Sequence, residues 1–249
     1  MDGGGGRLAV LIRTVAETGS TNADLLALAR GGAAEGLWLR AERQTAGRGR
    51  QGRAWASPPG NFHGSTLVRL RPGDPAAATL GFVAAVALAE VVALVVDRHR
   101  ATGNDGVMLK WPNDLLIGGA KVSGILLERA EDAVVVGIGV NLAHHPDLPE
   151  RPATSFAAQG VAIGPEPFAE ILAESFTRWL GRWRAQGFAP VRQRWLDLAH
   201  PLGSALAVNL PDGARLDGLF DGLDPDGALI LRLAAGDRRV IHAADVFLV

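Results

Sequence analysis

The run GFVAAVALAEVVALVV at residues 81–96 restricts the fold more than any other stretch, because it is apolar throughout except at Glu90. A helix that spans a bilayer needs roughly 20 such residues. This run is shorter and carries a carboxylate, so the expectation is a helix buried in a protein core, in a chain that works in the cytoplasm. A length of 249 residues suits one large core, or one domain with a small satellite. Chains of this size bury roughly 70–75% of their unfolded surface, so no metal or disulfide is needed to hold them. The sequence has no cysteine, which excludes thiol catalysis and sulfur-based zinc sites. Its net charge of −1 argues against a dedicated nucleic-acid binder or a polybasic membrane protein. The glycine run at 3–6 makes residues 1–6 a flexible tail, without the charged and apolar segments of a leader.

Around the long helix, placed at 75–98, strand and helix signals alternate. Residues 8–14 read as a strand. Gly19-Ser20-Thr21-Asn22 then supplies a polar start, 23–30 an apolar periodic stretch and Gly31-Gly32 a stop, which together predict a short helix. Further strands are expected at 37–41, 64–70, 107–111, 120–128 and 133–142, with turns at Gly118-Gly119 and Glu131-Asp132. Phe168, Ile171, Leu172, Phe176, Trp179, Leu180 and Trp183 recur at helical spacing and read as core, with Glu174 and Arg178 on the other face. After His200 come short β runs at 205–210, 214–220, 228–233 and 238–243, joined by turns rich in Pro, Asp and Gly. The expectation is a larger domain at 1–200 and a small β domain at 201–249 packed against it, since a unit of about 45–50 residues is marginal alone.

Between the strands at 37–41 and 64–70 lies a long segment, 43–61, rich in Gly, Arg and Pro and without periodicity. Loops of that length in a compact domain are usually functional. Within it Gly47-Arg48-Gly49-Arg50-Gln51-Gly52 matches G-x-G-x-x-G, yet no apolar strand runs into it and Pro58-Pro59 bars a helix after it. A dinucleotide site is thereby excluded, as is a P-loop, for want of a Lys-Ser or Lys-Thr. What remains is Arg48, Arg50 and Arg53 on exposed glycine backbone, a combination suited to phosphate or carboxylate.

Of 25 basic residues only two are lysines, Lys110 and Lys121. Codon bias explains the scarcity but not why the two stand 11 positions apart. Lys110-Trp111-Pro112-Asn113-Asp114 is expected at a strand end and Lys121-Val122-Ser123-Gly124-Ile125-Leu126 at the start of the next, with a Gly118-Gly119 hairpin bringing both lysines and Asp114 together. Two cations and a carboxylate beside an Arg-Gly loop suit a triphosphate with its magnesium. His144-His145, with no carboxylate at ligand spacing, reads as a surface loop, and no separate metal site is expected.

These residues resemble the biotin–protein ligases. Five motifs stand in order: Gly19 to Asn22, Gln44-Thr45-Ala46-Gly47-Arg48-Gly49-Arg50-Gln51-Gly52-Arg53-Ala54-Trp55, the Lys110 and Lys121 segments, and Gly137-Ile138-Gly139-Val140-Asn141. The resemblance implies an α+β fold, a mixed and largely antiparallel sheet with helices on it of the class II synthetase type, followed by an SH3-like β-barrel. It also implies activation of biotin by ATP to biotinyl-5′-adenylate and transfer to a lysine of a carboxylase's biotin carrier domain. No nucleic acid or membrane is involved, and a homodimer is left open. By resemblance Ser20, Thr21, Asn22 and Gln44 line the ureido end of biotin, with Gly124 also against biotin. Arg48, Gly49 and Arg50 close over its carboxylate and the adenylate phosphate, and Lys121 contacts both. Arg50, Arg53, Trp55, Lys110, Asn113 and Asn141 serve the nucleotide. Lys121, Arg50, Asp114 and Lys110 carry the chemistry, Asp114 either by orienting or deprotonating the incoming amine or as a magnesium or structural carboxylate.

Three departures from the family pattern are visible: Gln51 for an Arg, Phe62-His63 for Leu-Tyr, and Ala244-Asp245 for Gly-Asp, none expected to touch the reacting groups. A lipoate or octanoate ligase of the same fold is the nearest alternative, and its apolar substrate head would leave the polar set at 20–22 and Gln44 unmatched. A DNA-binding regulator is set aside because about 18 residues precede Gly19, too few for a helix-turn-helix domain, and a binding module would bind biotin without forming adenylate. An enzyme that makes a lysine-reactive intermediate also gains from having few lysines of its own to modify.

Overall fold

The computed structural model describes residues 11–99, 106–147 and 151–248. The glycine tail at 1–6 and the first residues of the strand expected at 8–14 lie outside them. Seven strands form one sheet: β1 (Ile12–Thr18), β2 (Trp38–Gln44), β3 (Phe62–Arg69), β4 (Val107–Lys110), β5 (Asp114–Ile117), β6 (Ala120–Ala130) and β7 (Ala133–Val140), in the order β1-β2-β3-β7-β6-β5-β4. Only β1 and β2 run parallel; the other neighbours are antiparallel. The parallel pair needs a crossover, which α1 (Thr21–Arg30) supplies.

The four α-helices among the described residues divide between the two faces of this sheet. α1 packs on one, where Leu25 and Ala29 meet Leu39, Leu67, Ala133 and Val135 in a small core of their own. The larger core lies on the other face, under α2 (Leu80–His99), α3 (Pro165–Gln186) and α4 (Ala189–Leu198). α2 extends past the run at 81–96, and by length and composition it is long and apolar enough to cross a membrane. Shortness therefore does not mark it as a core helix. Burial does: 72% of its apolar window is covered, by the sheet on one side and by α3 and α4 on the other. Glu90 is satisfied there by the Trp179 indole at 2.9 Å and Arg194 at 3.1 Å. The aromatic stripe of α3 is core as expected, and α4 is an element the pattern did not disclose.

A second sheet follows: β8 (Ala205–Asn209), β9 (Arg215–Leu223), β10 (Leu229–Arg232), β11 (Arg238–Ile241) and β12 (Asp245–Leu248), ordered β11-β10-β9-β8-β12. The first four match the expected runs; β12 is a fifth that was not expected. The sheets meet where the Trp111 indole donates to the Gly227 carbonyl at 3.0 Å and Arg192 donates to the carbonyls of Leu223 and Asp224.

His200 sits at this junction, 2% exposed, its ring 4.3 Å from that of Phe220. Burial pushes its pKa down to about 4, opposed by a backbone contact at Pro201 and helped by the charge of Lys110. Between the ordinary value of 6.5 and about 4 the unfolded chain takes up a proton that the folded chain refuses, so stability falls as pH drops through that window. The loss approaches about 3 kcal/mol, and His200→Phe should flatten it. Urea midpoints at pH 7 and pH 4.5 check this; equal slopes in both proteins would contradict it.

Candidate active site

α1 covers half of its sheet face. The other half is the floor of a cleft of about 550 Å³ between the sheet, the 45–57 loop and β12. Strand register places Asp114 opposite Gly124 and Gly124 opposite Gly139, with Gly137 two residues further along the same face. Glycine keeps that floor flat.

At one end the cleft is neutral and rich in hydrogen bonds. Ser20 caps α1 through its backbone without a side-chain cap bond, contrary to the usual use of such a residue, which leaves the hydroxyl at the cleft. The Gln44 side-chain oxygen, Oε1, accepts from Thr21 N at 2.9 Å and Thr21 Oγ1 at 3.1 Å. Thr21 Oγ1 lies 2.6 Å from Ser65 Oγ, which donates to Asn22 Oδ1 at 2.6 Å, and Asn22 Nδ2 donates to Glu128 at 2.8 Å. Thr21, Asn22 and Ser65 are all buried. Such a chain offers both donors and acceptors to a ligand in a place where unmet polar groups are costly.

The other end is cationic. Arg48, Arg50, Arg53, Lys110, Lys121 and Arg151 line the cleft against two carboxylates, Asp114 and Asp245. That imbalance, held between low-dielectric walls, draws anions. Lys110 and Asp114 close a tight turn between β4 and β5, with a cis Trp111–Pro112 bond, rather than lying at the end of one strand. β5 is an extra strand between the two lysines. Gly118 and Gly119, at φ +58° and +80°, make the two-residue hairpin into β6, where both central positions require left-handed backbone. Lys121 pairs with Asp114 Oδ1, and Lys110 Nζ lies 3.3 Å from Asp114 Oδ2 and 3.0 Å from the Val246 carbonyl.

The segment expected to be an irregular loop is an ordered excursion. Gly49 N and Trp55 N donate to Arg53 O at 2.7 Å and Gly47 O at 2.9 Å, around a 3₁₀ turn at Arg50–Gly52. Its arginines reach the second sheet. Arg53 grips Asp245 with two bonds of 2.9 Å, Arg151 lies 3.5 Å from the same carboxylate, and Arg50 donates to the Ala244 carbonyl at 3.4 Å. Burial alone would raise the Asp245 pKa, but Arg53 and the neighbouring arginines outweigh it and hold the group below the usual carboxylate range. Burial also lowers the pKa of Arg50, opposed in part by Asp245. The expectation that Ala244-Asp245 stands apart from the reacting groups is therefore wrong. Below the loop, His63 is buried with Nε2 3.1 Å from the Pro58 carbonyl, and burial lowers its pKa.

Trp55 lies over Gly139 and Gly124 with the Lys121 ammonium 5.5 Å from its ring, and its indole nitrogen is buried without a partner. Asn113 donates to the Ile125 carbonyl at 2.7 Å and Asn141 to the Thr154 carbonyl at 3.0 Å, so both side-chain amides are engaged in backbone contacts. All the residues singled out from sequence line this one cleft, Gly49 and Gly124 included.

Residues 20–142 match the model of the biotin/lipoate A/B protein ligase family, and 203–249 that of the biotin protein ligase C-terminal domain. The chain is 43% identical to the biotin–[acetyl-CoA-carboxylase] ligase of Paracoccus denitrificans, over 94% of this chain and 98% of that one. The chain belongs to the biotin–protein ligase family. The ligase of the same description from Mycobacterium tuberculosis is 38% identical over 93% of the chain and 86% of its own length. In fold, the biotin protein ligase of Aquifex aeolicus in complex with biotin and ATP superposes with a TM-score of 0.81 at 23% identity, covering 96% and 99% of the two chains. Of the residues that line the cleft, sequence reasoning missed Ser65, Arg151, Asp245 and Phe247, and with them Glu128, which holds Asn22. Ser65 and Glu128 sit in strands whose alternation predicts their face, given the pairing; nothing in the sequence marks Arg151 or Phe247.

Proposed function

We propose that the cleft joins biotin to ATP as biotinyl-5′-adenylate, releasing pyrophosphate, and passes the biotinyl group to a lysine of a carboxylase's biotin carrier domain in the cytoplasm. The observation that carries this is the division of one glycine-floored cleft into a neutral hydrogen-bonding end and a cationic end. A ureido ring, with two N–H donors and a carbonyl, suits the Ser20, Thr21, Asn22 and Gln44 end. The acid tail then reaches the cations. Domain limits of 1–200 and 201–249 go with this reading, with β12 of the second unit completing the site.

In the first step a biotin carboxylate oxygen attacks the α-phosphorus and pyrophosphate leaves. Two anions must meet, and Lys121, Arg48 and Arg50 offset their repulsion from fixed positions. Arg53, Lys110, Trp55, Asn113 and Asn141 form the nucleotide side. Magnesium fits a site of this kind, since it takes one or two carboxylates beside substrate phosphates; Asp114 would hold it, and it would supply counter-charge to the triphosphate. In the second step an acceptor amine attacks the acyl carbon, AMP leaves, and Asp114 orients the amine and takes its proton. No enzyme-bound acyl group is needed. The loop, tied to β12, keeps water from the mixed anhydride.

Arg50→Gly should loosen that closure and let adenylate escape, raising the labelling of lysines on an added bystander protein by about tenfold, a loss of roughly 1.4 kcal/mol in retention. Unlabelled bystander lysines would contradict a closing role. The reading as a whole is tested by incubating the protein with biotin, Mg-ATP and a biotin carrier domain. One biotinyl group should appear on the carrier's acceptor lysine and none when that lysine is arginine. A carrier that takes lipoate and no biotin would favour the lipoate ligase instead.

A further inference from the structure

Thr21, Ser65 and Asn22 form a buried chain of hydrogen bonds at the neutral end of the cleft, and the partner at its far end, Glu128, does not line the cleft itself. Resting on the reading above, we propose that Glu128 is a positioning residue for substrate specificity. By orienting the Asn22 amide it fixes the direction of the hydroxyl protons, so that Thr21 Oγ1 and Gln44 Oε1 face the cleft as paired acceptors for an N–H of the substrate's ring.

The direction follows from the number of protons available. A carboxylate only accepts, so Asn22 turns its Nδ2 to Glu128 at 2.8 Å and its Oδ1 to Ser65 Oγ at 2.6 Å. The Leu126 carbonyl, 3.4 Å from Nδ2, favours the same orientation at a longer reach. An amide oxygen cannot donate, so the one Ser65 hydroxyl proton goes to Asn22. Ser65 Oγ also lies 2.6 Å from Thr21 Oγ1, and two oxygens that close need a proton between them, which Thr21 must then supply. Thr21 has that one proton for two acceptors, and Gln44 Oε1 at 3.1 Å keeps only the minor share of it. Gln44 itself is fixed. Its Oε1 accepts from Thr21 N at 2.9 Å, and its Nε2 donates at 3.0 Å to Ser57 Oγ, whose own proton goes to the Trp55 carbonyl. Thr21 Oγ1 and Gln44 Oε1 therefore stand side by side at the cleft as acceptors with little of a proton between them. A substrate N–H placed there satisfies both, whereas an apolar head group leaves them unmatched. Without Glu128 the Asn22 amide is free to reverse. Nδ2 then donates to Ser65, Ser65 to Thr21 and Thr21 to Gln44, and the acceptor pair is closed within the protein. The same side chains in the same places would then read a different hydrogen-bond pattern.

The test compares biotin with the two cyclic carbamates in which oxygen replaces one or the other ureido N–H, a change that removes a donor without adding bulk. Pyrophosphate exchange gives kcat and KM for each substrate with the wild type, Glu128→Gln, Glu128→Met and Glu128→Ser. The wild type should favour biotin over one of the carbamates by about tenfold or more in kcat/KM, because that carbamate's oxygen would face the acceptor pair. Glu128→Met and Glu128→Ser should raise the KM for biotin about tenfold with kcat unchanged, and should bring the ratio of biotin to that carbamate close to one. Glu128→Gln, which keeps an oxygen facing Asn22, should restore both. A carboxylate that merely held Asn22 in place would raise KM for all three substrates alike and leave the ratio at its wild-type value; that result overturns the proposal. So does a wild type that uses both carbamates as well as biotin, whatever the variants do. Glu128→Met and Glu128→Ser proteins that fail to fold overturn it too, since they would make Glu128 a support of the fold. Biotin-dependent exchange without the change in ratio removes the role of Glu128 alone, whereas exchange driven by lipoate and not by biotin removes the functional reading and that role with it.

Discussion

Lys121→Ala is expected to slow adenylate formation about 10³-fold with the fold intact. A single preorganised donor at a developing charge is worth about 10²–10³ in kcat. Here the loss falls at the upper end, because Asp114 would be left beside the incoming carboxylate with one cation fewer. Stability should barely move, since the Lys121 side chain is 31% exposed and belongs to no apolar cluster. Lys121→Arg should rescue little: the ammonium touches Asp114 and lies within 3.3 Å of where a Cβ on Gly124 would stand, a space without room for a planar fork. Pyrophosphate exchange measures this, and an unchanged rate removes Lys121 from the mechanism.

Gly137→Ala is expected to raise the KM for biotin about 10²-fold with little change in kcat. A methyl at 137 would collide with the Asn22 carboxamide, whose Cγ would stand 2.8 Å away. Asn22 cannot yield easily, because Ser65 and Glu128 hold its two ends at 2.6 and 2.8 Å. Displacing it leaves buried polar groups unmatched at the ureido end, each costing about 1–3 kcal/mol. The control is Gly181→Ala on the exposed side of α3, where an added Cβ meets nothing within 4 Å. That change should leave KM alone and stabilise the helix by about 0.5–1 kcal/mol. Steady-state kinetics with both variants decides; equal KM values would show that the glycine floor does not shape the biotin end.

The order in which the site was legible follows from physics. The motifs at 20–22, 44–55, 110–114 and 121–126 were visible because their chemistry is local, and each of them contributes residues to the lining of one cleft. The Gly118-Gly119 hairpin was visible for the same reason, since two consecutive left-handed positions leave a residue signature. β5 was hidden because Leu115, Leu116 and Ile117 are buried without alternation, so no period of two sets the strand off from the turn before it. β12 was not read either, and with it went the Arg53–Asp245 tie, which joins residues 192 positions apart. Asp245 was noticed only as an irregularity near the C-terminus. α2 shows the opposite limit: its burial was legible, but length could not settle what buries it. Contacts that close over long separations need the fold to be known first.

The central claim is that this cleft activates biotin, and ATP–pyrophosphate exchange with biotin and lipoate side by side tests it most directly. A site built to hydrogen-bond its substrate can reject an analogue lacking those groups by about 10⁴–10⁵. The account predicts exchange that depends on biotin and Mg-ATP, with lipoate inert. Exchange driven by lipoate and not by biotin would contradict it.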